Sequence, residues 1–255
     1  MLKACAFDLG NTLVNDAELL DKATADMGAW LEQGGFLPSA EGFCAAYLRV
    51  NRADHRPFIS HTYGEPEWFR EAFRELGVQA LEPEAGLARY RQLLDGRLRV
   101  DPEVIDALRW LEGQNLTLAL LTNESSARVR SFLRLTGLEG CFAAVLISEE
   151  LGVEKPDPAF FLRALRELEV QPAELAMIGD NEVADGACRE LGVPFVLLTQ
   201  YKRSGWGWES GSAYPPDYVL GRLDRASMAE LLRAFGDPDR VAVHTRSQRF
   251  SGGAL

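Results

Sequence analysis

The chain has 255 residues, enough for one large core or for a core carrying a smaller insertion. Apolar residues make up 47% and charged residues 25%, a balance that fits a soluble globular protein and excludes disorder along the whole length. The net charge of -11 argues against nucleic acid or an anionic membrane as the main partner, because both would be repelled. A small anionic substrate is still allowed, since it touches only a pocket, and a pocket can be locally positive.

The chain opens Leu2-Lys3-Ala4-Cys5-Ala6-Phe7 and meets Asp8. An apolar run that short is a buried parallel strand, not a signal peptide. Four helical patterns follow. Leu20, Ala23, Met27, Trp30 and Leu31 share one face, as do Phe43, Ala46, Tyr47 and Val50 after Ser39 as N-cap. Pro66 opens a third pattern with Trp68, Phe69, Ala72, Phe73 and Leu76, and Pro83 a fourth with Leu87, Tyr90 and Leu94. No strand pattern interrupts residues 16–98, so this stretch is expected to form an all-helical unit. The aromatic residues Trp30, Phe43, Tyr47, Phe58, Tyr63 and Trp68 are expected mainly in its interior.

The rhythm changes at Asp101-Pro102, which starts a helix with Val104, Ile105, Leu108 and Leu111. Strands are expected at 116–121, 143–147, 175–178, 195–198 and 218–220. Helices are expected at 124–135, 158–169 and 182–191, the last stopped by Gly192. A loop containing Trp206 and Trp208 spans 200–217, and a last helix about 226–235. Residues 237–255 lack periodicity and read as a flexible tail. Strands alternating with helices predict an α/β fold: a Rossmann-like, doubly wound parallel sheet. Its core would comprise residues 1–15 and 99–236, with the helical unit inserted at 16–98. The four cysteines, Cys5, Cys44, Cys141 and Cys188, have no zinc-like spacing and read as reduced thiols of a cytoplasmic protein. No run approaches the roughly 20 apolar residues of a membrane helix.

Ligands of open parallel sheets bind at the carboxyl ends of the strands, and four loops there carry polar chemistry. The first is Asp8-Leu9-Gly10-Asn11-Thr12-Leu13. The second is Thr122-Asn123, where a hydroxyl and the N–H groups of a helix start can bind an anion. The third is Lys155-Pro156-Asp157-Pro158, a cation on a restricted backbone. The fourth is Gly179-Asp180 with Asp185, oxygen donors of the kind Mg²⁺ takes. Each loop alone has a plain alternative: Asp8, Thr122, Asn123 and Asp180 can be ordinary caps, and Lys155 and Asp185 solvated charges.

Together and in this order, these motifs resemble the haloacid dehalogenase-like hydrolase superfamily, in its branch with a helical cap inserted after the first motif. The likeness extends over about residues 3–235. It implies that Asp8 attacks phosphorus and becomes an aspartyl-phosphate. It implies Mg²⁺ held by Asp8, the Gly10 carbonyl and Asp180, with Asp185 bound directly or through water. Thr122 and the Asn123 backbone N–H would bind phosphate oxygens, and Lys155 would neutralise Asp8 and the transferring group. The implied substrate is a small phosphorylated metabolite, and the implied assembly a monomer or homodimer.

One position departs from the pattern. Phosphatases of this family usually carry a second Asp two residues after the nucleophile, as proton donor and later general base. Here that residue is Gly10. Losing such a group lowers rates by about 10²- to 10⁴-fold. Asn15, Asp16, Glu18, His55 and His61 are candidate substitutes, and sequence alone does not choose among them. Three readings follow: a phosphatase, including one for acyl or sugar phosphates whose leaving groups need little protonation; a 2-haloacid dehalogenase; and a phosphate-ligand binding protein without turnover.

Overall fold

The computed structural model describes residues 1–54, 65–202 and 214–236. His55, Phe58, His61, Tyr63, Trp206, Trp208 and the tail at 237–255 lie outside the described residues.

The strands are β1 (Ala4–Phe7), β2 (Thr117–Thr122), β3 (Ala144–Ile147), β4 (Leu175–Gly179), β5 (Phe195–Leu198) and β6 (Tyr218–Leu220). They form one sheet in the order β3-β2-β1-β4-β5-β6, and every neighbouring pair is parallel. The chain winds outward from β1 to β3, then restarts at β4 on the other side of β1. This reversal makes the carboxyl end of β1, between β2 and β4, the place where loops diverge and a ligand can enter.

The strands are apolar at almost every position because both faces are covered. Cys5, Phe7, Leu118, Leu120, Ala176, Ile178 and Val196 face one core; Ala4, Ala6, Ala119, Leu121, Leu175, Met177 and Phe195 face the other. The helices are α1 (Asp16–Gln33), α2 (Ala40–Asp54), α3 (Glu65–Leu76), α4 (Pro83–Arg97), α5 (Pro102–Glu112), α6 (Ser126–Thr136), α7 (Ser148–Leu151), α8 (Pro158–Glu167) and α9 (Arg225–Gly236). Residues of α5, α6 and α9 join the first core; those of α8 join the second. Asp157 caps α8 by accepting the Ala159 N–H at 2.8 Å, with Pro158 at the first helical position. Among the described residues no helix is long and apolar enough to cross a membrane.

Helices α1 to α4 pack on one another in sequence between β1 and α5. Phe43, Tyr47, Phe69, Phe73 and Tyr90 are buried there, their rings 5.2 to 6.4 Å apart in tilted and edge-on pairs. Each such pair contributes about 0.5–1.5 kcal/mol beyond its buried area. Trp68 meets the edge of Tyr47, and Trp30 stacks on Phe36. Phe43, Tyr47, Trp30 and Trp68 therefore serve packing, as their spacing predicts. Helices α1 and α2 approach so closely that a Cβ on Gly28 would lie 2.6 Å from the Ala40 carbonyl oxygen. Leu9, Leu13, Val14 and Leu19 carry the first core continuously from the sheet into these helices.

One predicted helix is corrected. Residues 182–191 do not form an α-helix; turns lead into a 3₁₀ segment at Gly186–Leu191. The Asn181 side chain takes the Val183 and Ala184 N–H groups at 3.0 and 2.9 Å, and this local bonding competes with a regular helix. Helix α7 and a 3₁₀ turn at Pro172–Glu174 are too short to show periodicity. Helix α6 starts after Ser125, whose hydroxyl caps the Arg128 N–H at 3.4 Å.

Candidate active site

Asp8 follows β1 directly and stays in register, donating its N–H to Ile178 O at 2.9 Å. The chain then turns tightly: Leu9 O accepts the N–H groups of Thr12, Leu13 and Val14. Asn11 sits at φ 51°, a left-handed conformation Asn tolerates, and its Oδ1 accepts the Ala17 N–H at 3.1 Å. This bond ties the loop to the first turn of α1.

Lys155 organises the centre. Its side chain is 2% exposed, and its Nζ donates to Asp8 Oδ1 at 2.7 Å, Asp185 Oδ1 at 2.6 Å and Leu121 O at 2.8 Å. Burial alone would lower its pKa, but attraction to Asp185 and Asp8 outweighs that loss and holds the ammonium above the ordinary lysine range. Asn123 fixes the loop that carries it. The Asn123 side chain donates to Lys155 O at 2.7 Å and accepts the Lys155 N–H at 2.8 Å. Thr122, buried, ends β2 beside this clasp.

The fourth loop completes the site. Asp8, Asp180 and Asp185 each place a carboxylate oxygen within 4.8 Å of the others. Asp180 is pushed well above the usual carboxylate range, first by burial, then by Asp8 and Asp185. Asp185 is pushed up to about 6, again mainly by burial, with Lys155 opposing. Its Oδ2 accepts the Asn181 N–H at 3.1 Å. Gly179 leaves room for that carboxylate, since a Cβ there would fall 2.1 Å from Asp185 Oδ2. Lys202 pairs with Glu182 at 2.6 Å on the same side and also draws Asp180 downward. An all-oxygen set of crowded carboxylates beside the cation Lys155 suits a hard divalent cation.

Thr122 thus ends β2, and Asp8, Gly10, Asn123, Lys155, Asp180 and Asp185 lie on loops at the carboxyl ends of β1, β2 and β4 or on the loop between α7 and α8. Sequence reasoning missed Arg128, which reaches from the first turn of α6 to Asp16 and lies 3.5 Å from Glu124. A cation in a helix's first turn opposes the helix dipole, and that was the available signal. Between α4 and α6 lies a cavity of about 140 Å³, with Leu9, Leu94 and Phe132 among its apolar walls and Arg91 and Arg128 among its polar ones.

A family model for haloacid dehalogenase-like hydrolases matches residues 2–192, and the chain belongs to this family of hydrolases. It is 32% identical over 256 residues to a phosphoserine phosphatase of Thermus thermophilus, an alignment covering 91% of this chain and 100% of that one. Among solved structures it resembles a haloacid dehalogenase-like phosphatase from Thermococcus onnurineus with a TM-score of 0.65 at 24% identity, covering 91% of this chain and 98% of that one. It also resembles a 2-haloacid dehalogenase from Pseudomonas syringae pv. Tomato DC3000, with a TM-score of 0.65 at 25% identity over 92% of this chain and 100% of that one.

Proposed function

We propose that this hydrolase is a Mg²⁺-dependent phosphatase acting on a small phosphorylated metabolite through an aspartyl-phosphate on Asp8. The observation that carries the reading is the Lys155 ammonium bonded to both Asp8 and Asp185, within a three-carboxylate cluster. Asp8 and Asp180 would hold Mg²⁺, with Asp185 bound directly or through water. When bound, the ion supplies positive charge between the Asp8 carboxylate and the anionic phosphoryl group.

The chain's own residues do the rest. Lys155 fixes one Asp8 oxygen and neutralises charge as phosphorus is attacked. The Thr122 hydroxyl and the Asn123 N–H bind phosphoryl oxygens, and the Asn123 side chain keeps Lys155 in register with them. The α1–α4 unit, residues 16–98, serves as a cap, and the cavity between α4 and α6 receives the organic part of the substrate. The enzyme works as a monomer or homodimer in the cytoplasm.

The test is a panel of phosphate monoesters, sugar phosphates and acyl phosphates, assayed with Mg²⁺ and with chelator. Mg²⁺-dependent turnover that Asp8→Asn abolishes supports the reading. The absence of a carboxylate at Gly10 favours a second reading, a dehalogenase, because halide leaves without a proton. Metal-independent halide release from a 2-haloacid would establish it. Tight binding of a phosphate-mimicking metal fluoride without turnover on any substrate would instead mark a binding protein.

A further inference from the structure

We propose that Asp16 is the proton donor and acceptor of this site, taking the place of the side chain absent at Gly10. The inference rests on the phosphatase reading. Hydrolysis of an alkyl phosphate expels an alkoxide, which leaves slowly unless it is protonated as it departs. The water that completes the reaction must likewise lose a proton. An acid–base group near Asp8 is therefore needed, and position 10 provides only backbone.

The volume beside Gly10 is filled by Asp16. A Cβ on Gly10 would lie 3.1 Å from Asp16 Oδ2, 3.6 Å from its Cγ and 3.7 Å from its Cβ. The carboxylate thus stands where a side chain of residue 10 would project, two positions after Asp8. The loop is built to bring it back there. Leu9 O gathers three successive N–H groups, Gly10 bridges to Val14, and Asn11 holds the Ala17 N–H beside Asp16.

Among the described candidates, Asp16 is the one that stands beside Gly10. Asn15 is spent on the helix cap, accepting the Glu18 N–H and donating to Glu18 Oε2. Glu18 points to solvent, half exposed, paired with Lys22. Asp16 is 7% exposed, and Arg128 takes its Oδ1 while Oδ2 is the oxygen turned to Gly10. Arg128 is a positioning residue, holding the carboxyl in one orientation.

Asp8 forms a bond to phosphorus, the bond from phosphorus to the ester oxygen breaks, and that oxygen takes the proton of the Asp16 carboxyl to leave as the alcohol. The Asp16 carboxylate then takes a proton from water as the water oxygen bonds phosphorus. The bond from phosphorus to Asp8 breaks, releasing inorganic phosphate and restoring both groups.

The experiment compares kcat/KM with Mg²⁺ for p-nitrophenyl phosphate, phenyl phosphate and a primary alkyl phosphate, in the full chain and in Asp16→Asn. In the parent protein, kcat/KM is expected to change little across the series. In Asp16→Asn it should fall about 10²- to 10⁴-fold on the alkyl ester and less than about tenfold on p-nitrophenyl phosphate. Equal loss on all three esters, or no loss, overturns the assignment. If Asp16→Asn does not fold, the parent protein alone decides: a rate that falls steeply with leaving-group basicity means that no acid acts there. Asp8→Asn separates the two levels. If it abolishes turnover while Asp16→Asn acts uniformly, only the Asp16 role fails. If the parent protein turns over acyl phosphates but no phosphate ester, only the Asp16 role fails; if it turns over neither, the phosphatase reading fails and the Asp16 role with it.

Discussion

At the residue scale, the site is a balance of charges enforced by packing. Lys155 is the buried cation shared by two carboxylates. Replacing it with Met should destabilise the metal-free protein by about 3–5 kcal/mol, because it leaves buried charge uncompensated; denaturant unfolding measures this. Gly179→Ala should push the Asp185 carboxylate aside, given the 2.1 Å approach, and weaken Mg²⁺ binding by about 10- to 100-fold, as titration calorimetry would read. Asn123→Ala removes both bonds to the Lys155 backbone and should lower kcat by about 10²-fold with little change in the unfolding midpoint. The positions of Asp8, Thr122, Lys155, Asp180 and Asp185 were legible in the sequence because each lies at or within a few residues of the end of an apolar run, or directly before a proline. The Asn123 clasp and the Asp16–Arg128 pair were not. Those contacts join residues 32 and 112 positions apart, and no local spacing reports such distances.

At the element scale, the strands were readable because parallel strands buried on both faces are continuous apolar runs of four to six residues. Helices with long amphipathic faces were readable for the matching reason. The segment at 182–191 was misread because Asn181 and Asp185 turn inward and bond locally, which overrides helical propensity. The crossing of α1 and α2 is held close by Gly28, whose Cβ position faces a backbone carbonyl rather than a yielding side chain. Gly28→Ala should therefore cost about 1–3 kcal/mol, measured by thermal or denaturant unfolding, while the carboxylate cluster keeps its metal affinity.

At the scale of the whole molecule, the crowded carboxylates should make stability depend on pH and on metal together. Asp185 is raised to about 6 from 3.8 by burial, so between those values the folded chain keeps a proton that the unfolded chain releases. This group's contribution to stability is therefore present at low pH and is lost as pH rises toward 6. A bound divalent cation reverses that penalty, because it binds the ionised form. The gain in Tm on adding Mg²⁺ should be larger at pH 7.5 than at pH 5, and chelator should erase the difference. The same tight packing has a hereditary consequence. Gly10 and Asp16 compete for one volume, so the two positions are expected to change together as the sequence diverges. A lineage that carries an acid at position 10 should shrink residue 16 and release Arg128, and one that carries glycine should keep the acid at position 16. The pair would behave as a single inherited character written in two places.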